Sequence, residues 1–196
     1  GALTPAGLGS SCIVPMIRSG IIDYIVTTGA NLYHDLHHSL DLPLFKGSPF
    51  SNDSELFEDE VIRIYDIFMD YKVLAATDNW LLRAFARPEF QKRMGTRELH
   101  YILGKLTDEV EKEKGTVGKS FIAEAYRHEV PIYTSSPGDS TLGLDIAALN
   151  LIGKNIQIDS SIDVNEMAAL VLEAKRIGES GVIVWGGGSP KNFILQ

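Results

Sequence analysis

With 196 residues, 44% of them hydrophobic and 22% charged, the chain is long enough to bury a substantial core and reads most simply as one domain. A net charge of −8 argues against a nucleic-acid partner, because phosphate binding needs a basic face. The single cysteine, Cys12, excludes an internal disulfide framework and fits a reducing compartment. No apolar run approaches the ~20 residues of a membrane span, and no basic-plus-apolar signal pattern is present, so the expectation is a soluble, cytoplasmic protein without a membrane partner.

Residues 1–9 form an apolar, glycine-containing turn with no element before it, and the last helix stops at Gln196 about two turns after it starts. Both ends are therefore expected to be cut from a longer chain. Residues 9–19 suit a short helix that Pro15 kinks or starts early. Ile21–Thr28 reads as a strand running into Gly29, Ala30 and Asn31, with a helix following over LYHDLHHSL. Two prolines and a glycine make residues 42–52 an irregular loop. Ile62–Phe68 is expected to be a strand, and Asp78–Ala86 a helix broken by Arg87-Pro88. Thr96 is expected to cap the next helix, whose apolar face carries Leu99, Ile102, Leu103, Leu106 and Val110. The charge run DEVEKEK would form its solvated face.

Lys119–His128 reads as a helix and Val130–Ser135 as a strand ending at Pro137-Gly138-Asp139, with Asp139 placed to cap the helix STLGLDIAAL. Asn155–Asp159 is a short strand. Asp163 and Glu166 resemble a capping box, followed by one helical face of Met167, Leu170, Val171, Ala174 and Ile177. Gly181–Trp185 fits a buried strand. Three glycines follow at 186–188, and Ser189-Pro190 opens a helix with Lys191 and Asn192 at its mouth. Strands alternating with helices predict an α/β protein built on a mostly parallel sheet with helices on both faces. Ligands of such sheets sit at the carboxyl ends of the strands.

Three turns fall there: Thr28-Gly29-Ala30-Asn31, Pro137-Gly138-Asp139-Ser140 and Gly186-Gly187-Gly188. Each can be an ordinary βα turn, or together they can cradle an anion or dinucleotide, since free N–H groups and the helix dipole favour negative charge. Asp139 can bind a ribose hydroxyl or a ligand ammonium, or it only caps its helix. His34, His37 and His38 have helical spacing for a metal, yet nothing supplies the remaining ligands in a matching pattern, so surface or interface histidines are expected and no metal site is. HExxH, GxSxG and CxxC are absent from the sequence. Lys191 can pair with an anion, lose its proton by desolvation, or remain solvated.

The three motifs taken in order, TTGAN at 27–31 with His34-Asp35-Leu36, SSPGDSTLG at 135–143 and GVIVWGGGSPKNF at 181–193, resemble the deoxyhypusine synthase family across nearly the whole chain. The resemblance is closest to its bacterial deoxyhypusine synthase-like branch, which includes homospermidine synthases. It implies a Rossmann-like, NAD-dependent aminobutyl transferase working as a homotetramer with shared active sites, the whole chain being one NAD-binding domain. In this family NAD takes a hydride from spermidine, diaminopropane leaves, and an enzyme lysine carries the aminobutyl group as an imine. The acceptor is a lysine of a translation-factor precursor, or putrescine in homospermidine synthases. A non-catalytic homologue that binds polyamine or nucleotide is the alternative from another class.

By position, the resemblance implies cofactor contacts at Ala2, Leu3, Thr4, Pro5, Ala6, Thr28, Gly29, Ala30, His34, Asp139 and Gly187. It implies a polyamine side at Tyr33, His34, Asp145 and Asn192. The departures lie on that side. Two adjacent family glutamates are Tyr33 and His34 here, the amine-binding aspartate is Leu144 with Asp145 beside it, and a substrate histidine is Asn192. The family's imine-forming lysine belongs to a Trp-Gly-Lys segment downstream of Gln196, so no catalytic residue is assigned, and Lys191 is not promoted to that role.

Overall fold

The computed structural model describes residues 3–196, so the expected contact at Ala2 lies outside the described residues. A π-helical turn, Gly9–Ile13, runs directly into α1 (Val14–Arg18). Pro15 falls in the first turn of α1, where the winding changes from π- to α-helical, and so marks the start of α1. β1 (Ile25–Thr27) and α2 (Gly29–Ser39) follow.

Next come β2 (Phe45–Lys46), α3 (Asp53–Glu58), β3 (Val61–Ile64) and β4 (Ile67–Asp70). The single strand expected over 62–68 is thus a hairpin. Tyr65 adopts φ 57°, and this left-handed residue turns the chain back on itself. β2, β4 and β3 form an antiparallel sheet in that order.

Asp70 accepts from Lys72 N at 2.7 Å and starts α4 (Tyr71–Phe85), two turns earlier than periodicity indicates. β5 (Arg93–Met94), α5 (Thr96–Lys114), α6 (Phe121–Arg127), β6 (Ile132–Thr134), α7 (Thr141–Leu151), β7 (Gln157–Ile158), α8 (Ser160–Ile177) and α9 (Ser189–Ile194) complete the order. β1 pairs with β6 and β5 with β7, both parallel, as the βα alternation requires.

One core joins these elements, with Leu32, Leu36, Leu81, Phe85, Phe90 and Leu103 fully buried. Each such side chain contributes about 1.5–3 kcal/mol on burial. α5 and α6 approach almost to backbone contact, because a Cβ at Gly104 would stand 2.9 Å from Ile122 O.

Several local expectations change. Thr96 does not cap α5. Its N–H donates to Asp163 at 2.8 Å, so a carboxylate from α8 caps α5 across the fold. Asp163 is therefore not the start of a capping box. Asp159 caps α8, accepting from Ser161 N at 2.9 Å.

The charged run on α5 is not wholly solvated, since Asp108 and Glu111 are buried. On α8 only Met167 of the apolar face is buried, and Ile177 is 81% exposed. Residues 181–185 form no strand and lie exposed. Gly188, with Ser189 and Pro190 in the first turn, occupies the N-cap of α9.

Candidate functional site

β1 and β6 end at one level, with Thr27 opposite Thr134. Leaving β1, Thr28 caps α2 by accepting from Asn31 N at 3.3 Å. Leaving β6, Ser140 caps α7 by accepting from Gly143 N at 3.3 Å. A Cβ at Gly29 would collide with the Ser140 side chain, so glycine here lets two helix N-termini abut. Their free N–H groups and positive dipole ends face one region. Gly143 is needed as well, because a Cβ there would run into Pro137 O.

The expected capping by Asp139 is corrected by this geometry. Ser140 holds the N-cap, leaving the Asp139 carboxylate exposed beside the junction. The segment after the third turn meets the one leading into the second through Ser189, whose Oγ lies 2.7 Å from Ser135 Oγ and 2.8 Å from Ser136 Oγ. Between β1 and the 181–187 segment opens a cavity of about 560 Å³ whose lining includes Leu3, Thr28, Asn31, Gly187 and Lys191. A Cβ at Gly187 would meet nothing within 4 Å, so packing does not explain glycine there.

The first loop packs on α2. Thr4, buried, donates to Asn31 O at 2.9 Å, and His38 Nε2 donates to Thr4 O at 3.2 Å. Pro5 is buried behind it while Ala6 is exposed. Ala30, half-buried, completes the first turn of α2. Asn31 Oδ1 and Thr134 Oγ1 are buried without a hydrogen-bond partner among the described residues. Buried polar atoms are almost always satisfied, so two orphans beside the strand ends leave acceptors that a bound water or a ligand's donors would complete.

A polar seam runs from this junction between α2, α4 and α7. Tyr33 donates to Asp78 Oδ1 at 2.6 Å. Burial, with the Asp78 hydrogen bond and charge, holds its phenol well above the ordinary range. His34 Nδ1 lies 3.0 Å from His37 Nε2, and His37 Nδ1 lies 2.8 Å from Thr77 Oγ1. Burial lowers His34 to about 4 and His37 to about 3, so both rings are neutral at pH 7. His37 is fully buried, which corrects the expectation of surface histidines.

Asp145 is 8% exposed and its Oδ2 has no partner among the described residues. Burial, then the Asp78 charge, pushes it up to about 7. Asn192 is exposed on α9 and is bonded to none of these groups. Thr77 and Asp78 were missed from the sequence. The available signal was a threonine on the stripe Val73, Thr77, Leu81, where a helix buries its apolar face.

Other proteins with this pattern extend the picture. The chain is 52% identical over 197 residues to a "Deoxyhypusine synthase-like protein" of Nostoc punctiforme, covering all of this chain and 50% of that protein. It is 40% identical over 196 residues to a "Probable deoxyhypusine synthase 2" of Methanosarcina acetivorans, covering all of this chain and 54% of that one. The chain thus spans about half the length of the curated relatives it matches. A crystal structure of a putative deoxyhypusine synthase from Entamoeba histolytica shares the fold at 20% identity, with a TM-score of 0.65 over 95% of this chain and 56% of that one. The family model for deoxyhypusine synthase matches residues 1–196, and the chain belongs to the deoxyhypusine synthase family.

Proposed function

We propose that this chain forms the cofactor side of an NAD-dependent aminobutyl transferase, which moves the aminobutyl group of spermidine to an amine acceptor. The observation that carries the reading is the abutment of the α2 and α7 N-termini over two orphaned buried polar atoms, Asn31 Oδ1 and Thr134 Oγ1. When held there, NAD would supply reversible hydride chemistry.

The residues divide the remaining work. Thr28, Gly29 and Ala30 with the Ser140 turn would hold the anionic part of the cofactor on paired helix N-termini. Asp139, free of capping, would take a ribose hydroxyl. Gly187 would let backbone approach closely, and Leu3, Thr4, Pro5 and Ala6 would close the first loop over the cofactor. Tyr33, His34 and Asp145 would face the amine, with Asn192 reaching it from α9.

The acceptor is either a protein lysine on a translation-factor precursor or putrescine. Tyr33 and His34 in place of two acidic residues, and Leu144 in place of another, favour the small diamine. Homo-oligomeric assembly, a tetramer in the family, fits the apolar side chains that α7 and α8 leave uncovered, Leu151 at 89% and Leu172 at 63% exposure. No helix among the described residues is long and apolar enough to cross a membrane.

The test is incubation of the intact protein with NAD, spermidine and labelled putrescine. Release of diaminopropane with a labelled longer polyamine supports the reading with the small acceptor. Diaminopropane without that product points to a protein acceptor. Stabilisation by ligand without any turnover makes the protein a non-catalytic polyamine- or nucleotide-binding homologue and ends the transferase reading.

A further inference from the structure

The two histidines of α2 and Thr77 of α4 form a chain whose direction can be worked out from its far end. Thr77 Oγ1 lies 2.8 Å from Val73 O, and a carbonyl only accepts, so the single hydroxyl proton of Thr77 goes there. Thr77 can then only accept from His37 Nδ1, 2.8 Å away. His37 therefore carries its proton on Nδ1 and leaves Nε2 bare. That bare nitrogen, 3.0 Å from His34 Nδ1, requires His34 to carry its proton on Nδ1 too. The remaining nitrogen, His34 Nε2, is a lone pair with no hydrogen-bond partner among the described residues.

The rings are held as well as the protons. Tyr33 packs edge-on against both, with centroids 5.3 Å from His34 and 5.2 Å from His37. His34 is half-buried, so its outer nitrogen can meet a ligand while its inner one cannot turn away without breaking the chain. A free imidazole would exchange tautomers and present N–H part of the time, which repels a cationic donor.

We propose that Thr77 and His37 are positioning residues that lock His34 as a hydrogen-bond acceptor for a primary amine or ammonium of the substrate. An acceptor-only face rejects phosphate and carboxylate and takes an N–H of an amine or ammonium. The amine contact rests on the transferase reading above; the tautomer lock does not.

Histidine-selective 15N labelling of the intact protein with long-range 1H–15N correlation reads the tautomers directly. Both His34 and His37 are expected as Nδ1–H at pH 7, and putrescine or spermidine should move the His34 Nε2 resonance. Thr77→Val removes the acceptor for His37. It should give mixed tautomers at both rings and weaken amine binding about tenfold, the loss of one hydrogen bond. Thr77→Ser should restore both readouts.

A wild-type His34 protonated on Nε2 overturns the proposal, as does a Thr77→Val protein with unchanged tautomers and amine affinity. If Thr77→Val does not fold, the wild-type spectrum and titration still decide. An intact chain whose His34 ignores both amines overturns the amine contact, and NAD binding by the same sample shows whether the cofactor reading survives on its own.

Discussion

Two regions of this molecule bury polar groups in opposite ways. Between α5 and α6, Glu111 accepts from Lys119 N at 3.1 Å and Ser120 N at 2.8 Å and meets Arg127 at 2.5 Å. Arg127 also pairs with Asp108 at 2.6 Å and Glu124 at 2.9 Å, and Glu124 with Arg18 at 2.7 Å. All of these charges have partners. By contrast, the five buried side-chain polar atoms without a partner among the described residues, on Asn31, Asp35, Ser39, Thr134 and Asp145, lie on α2, β6 and α7. Saturated networks hold structure together, whereas the orphans beside the strand ends, Asn31 Oδ1 and Thr134 Oγ1, are where a ligand can supply the missing donors.

The comparison predicts opposite mutant behaviour on the two sides. The largest effect is expected for Glu111→Ala, which leaves the N–H groups of Gly118, Lys119 and Ser120 without their acceptor and Arg127 short of a charge. Denaturant unfolding should show a loss of about 3–5 kcal/mol, with NAD affinity of the folded protein unchanged. Gly29→Ala should cost about 1–3 kcal/mol by forcing the α2 and α7 N-termini apart, and here NAD binding should fall with stability.

Asp145→Asn should act in the opposite sense. The wild-type carboxyl is raised from 3.8 to about 7, so the folded state holds a proton that the unfolded state has lost. Its contribution is intact below pH 4 and is lost as pH rises through 7. The variant should therefore be more stable at pH 8 by about 1–2 kcal/mol, with a flatter stability profile between pH 4 and 8, while binding amine less well. Two network carboxylates, Asp108 and Glu124, have the reverse sign. Although burial opposes it, hydrogen bonds from Lys112 and Arg127 hold Asp108 below its usual value, so its contribution is lost on acidification instead.

The smallest change in stability is expected for Thr134→Val. Replacing an orphaned hydroxyl by a methyl should alter unfolding by less than about 0.5 kcal/mol. NAD affinity should nevertheless drop about tenfold if that hydroxyl meets the cofactor.

What the sequence revealed follows the same division. Glycine chemistry is local, so the turns at 28–31 and 137–140, and the parallel pairing of the strands before them, were readable from residue types, although the cap of α7 fell on Ser140 rather than on Asp139. Long-range polar contacts were not. Asp163 capping α5 from 67 residues away, and Glu111 turning inward from a charged run, depend on partners that no local spacing reveals. Thr77 and Asp78 were hidden for the same reason, since a polar residue on an apolar stripe gains meaning only when α2 supplies His37 and Tyr33. The 181–185 run read as a buried strand because its β-branched residues suit one, but without a paired neighbour that propensity alone does not make a strand.

Asp139 tests the α2–α7 junction as a cofactor site with the least structural disturbance, because its side chain is exposed and Ser140 does the capping. Calorimetric titration of NAD into the intact protein and its Asp139→Ala variant is the direct measurement. The wild type should bind NAD, the variant at least about tenfold more weakly, and the two unliganded proteins should show superimposable thermal unfolding. Equal NAD affinity in both, or no binding to either, would contradict a cofactor site at this junction.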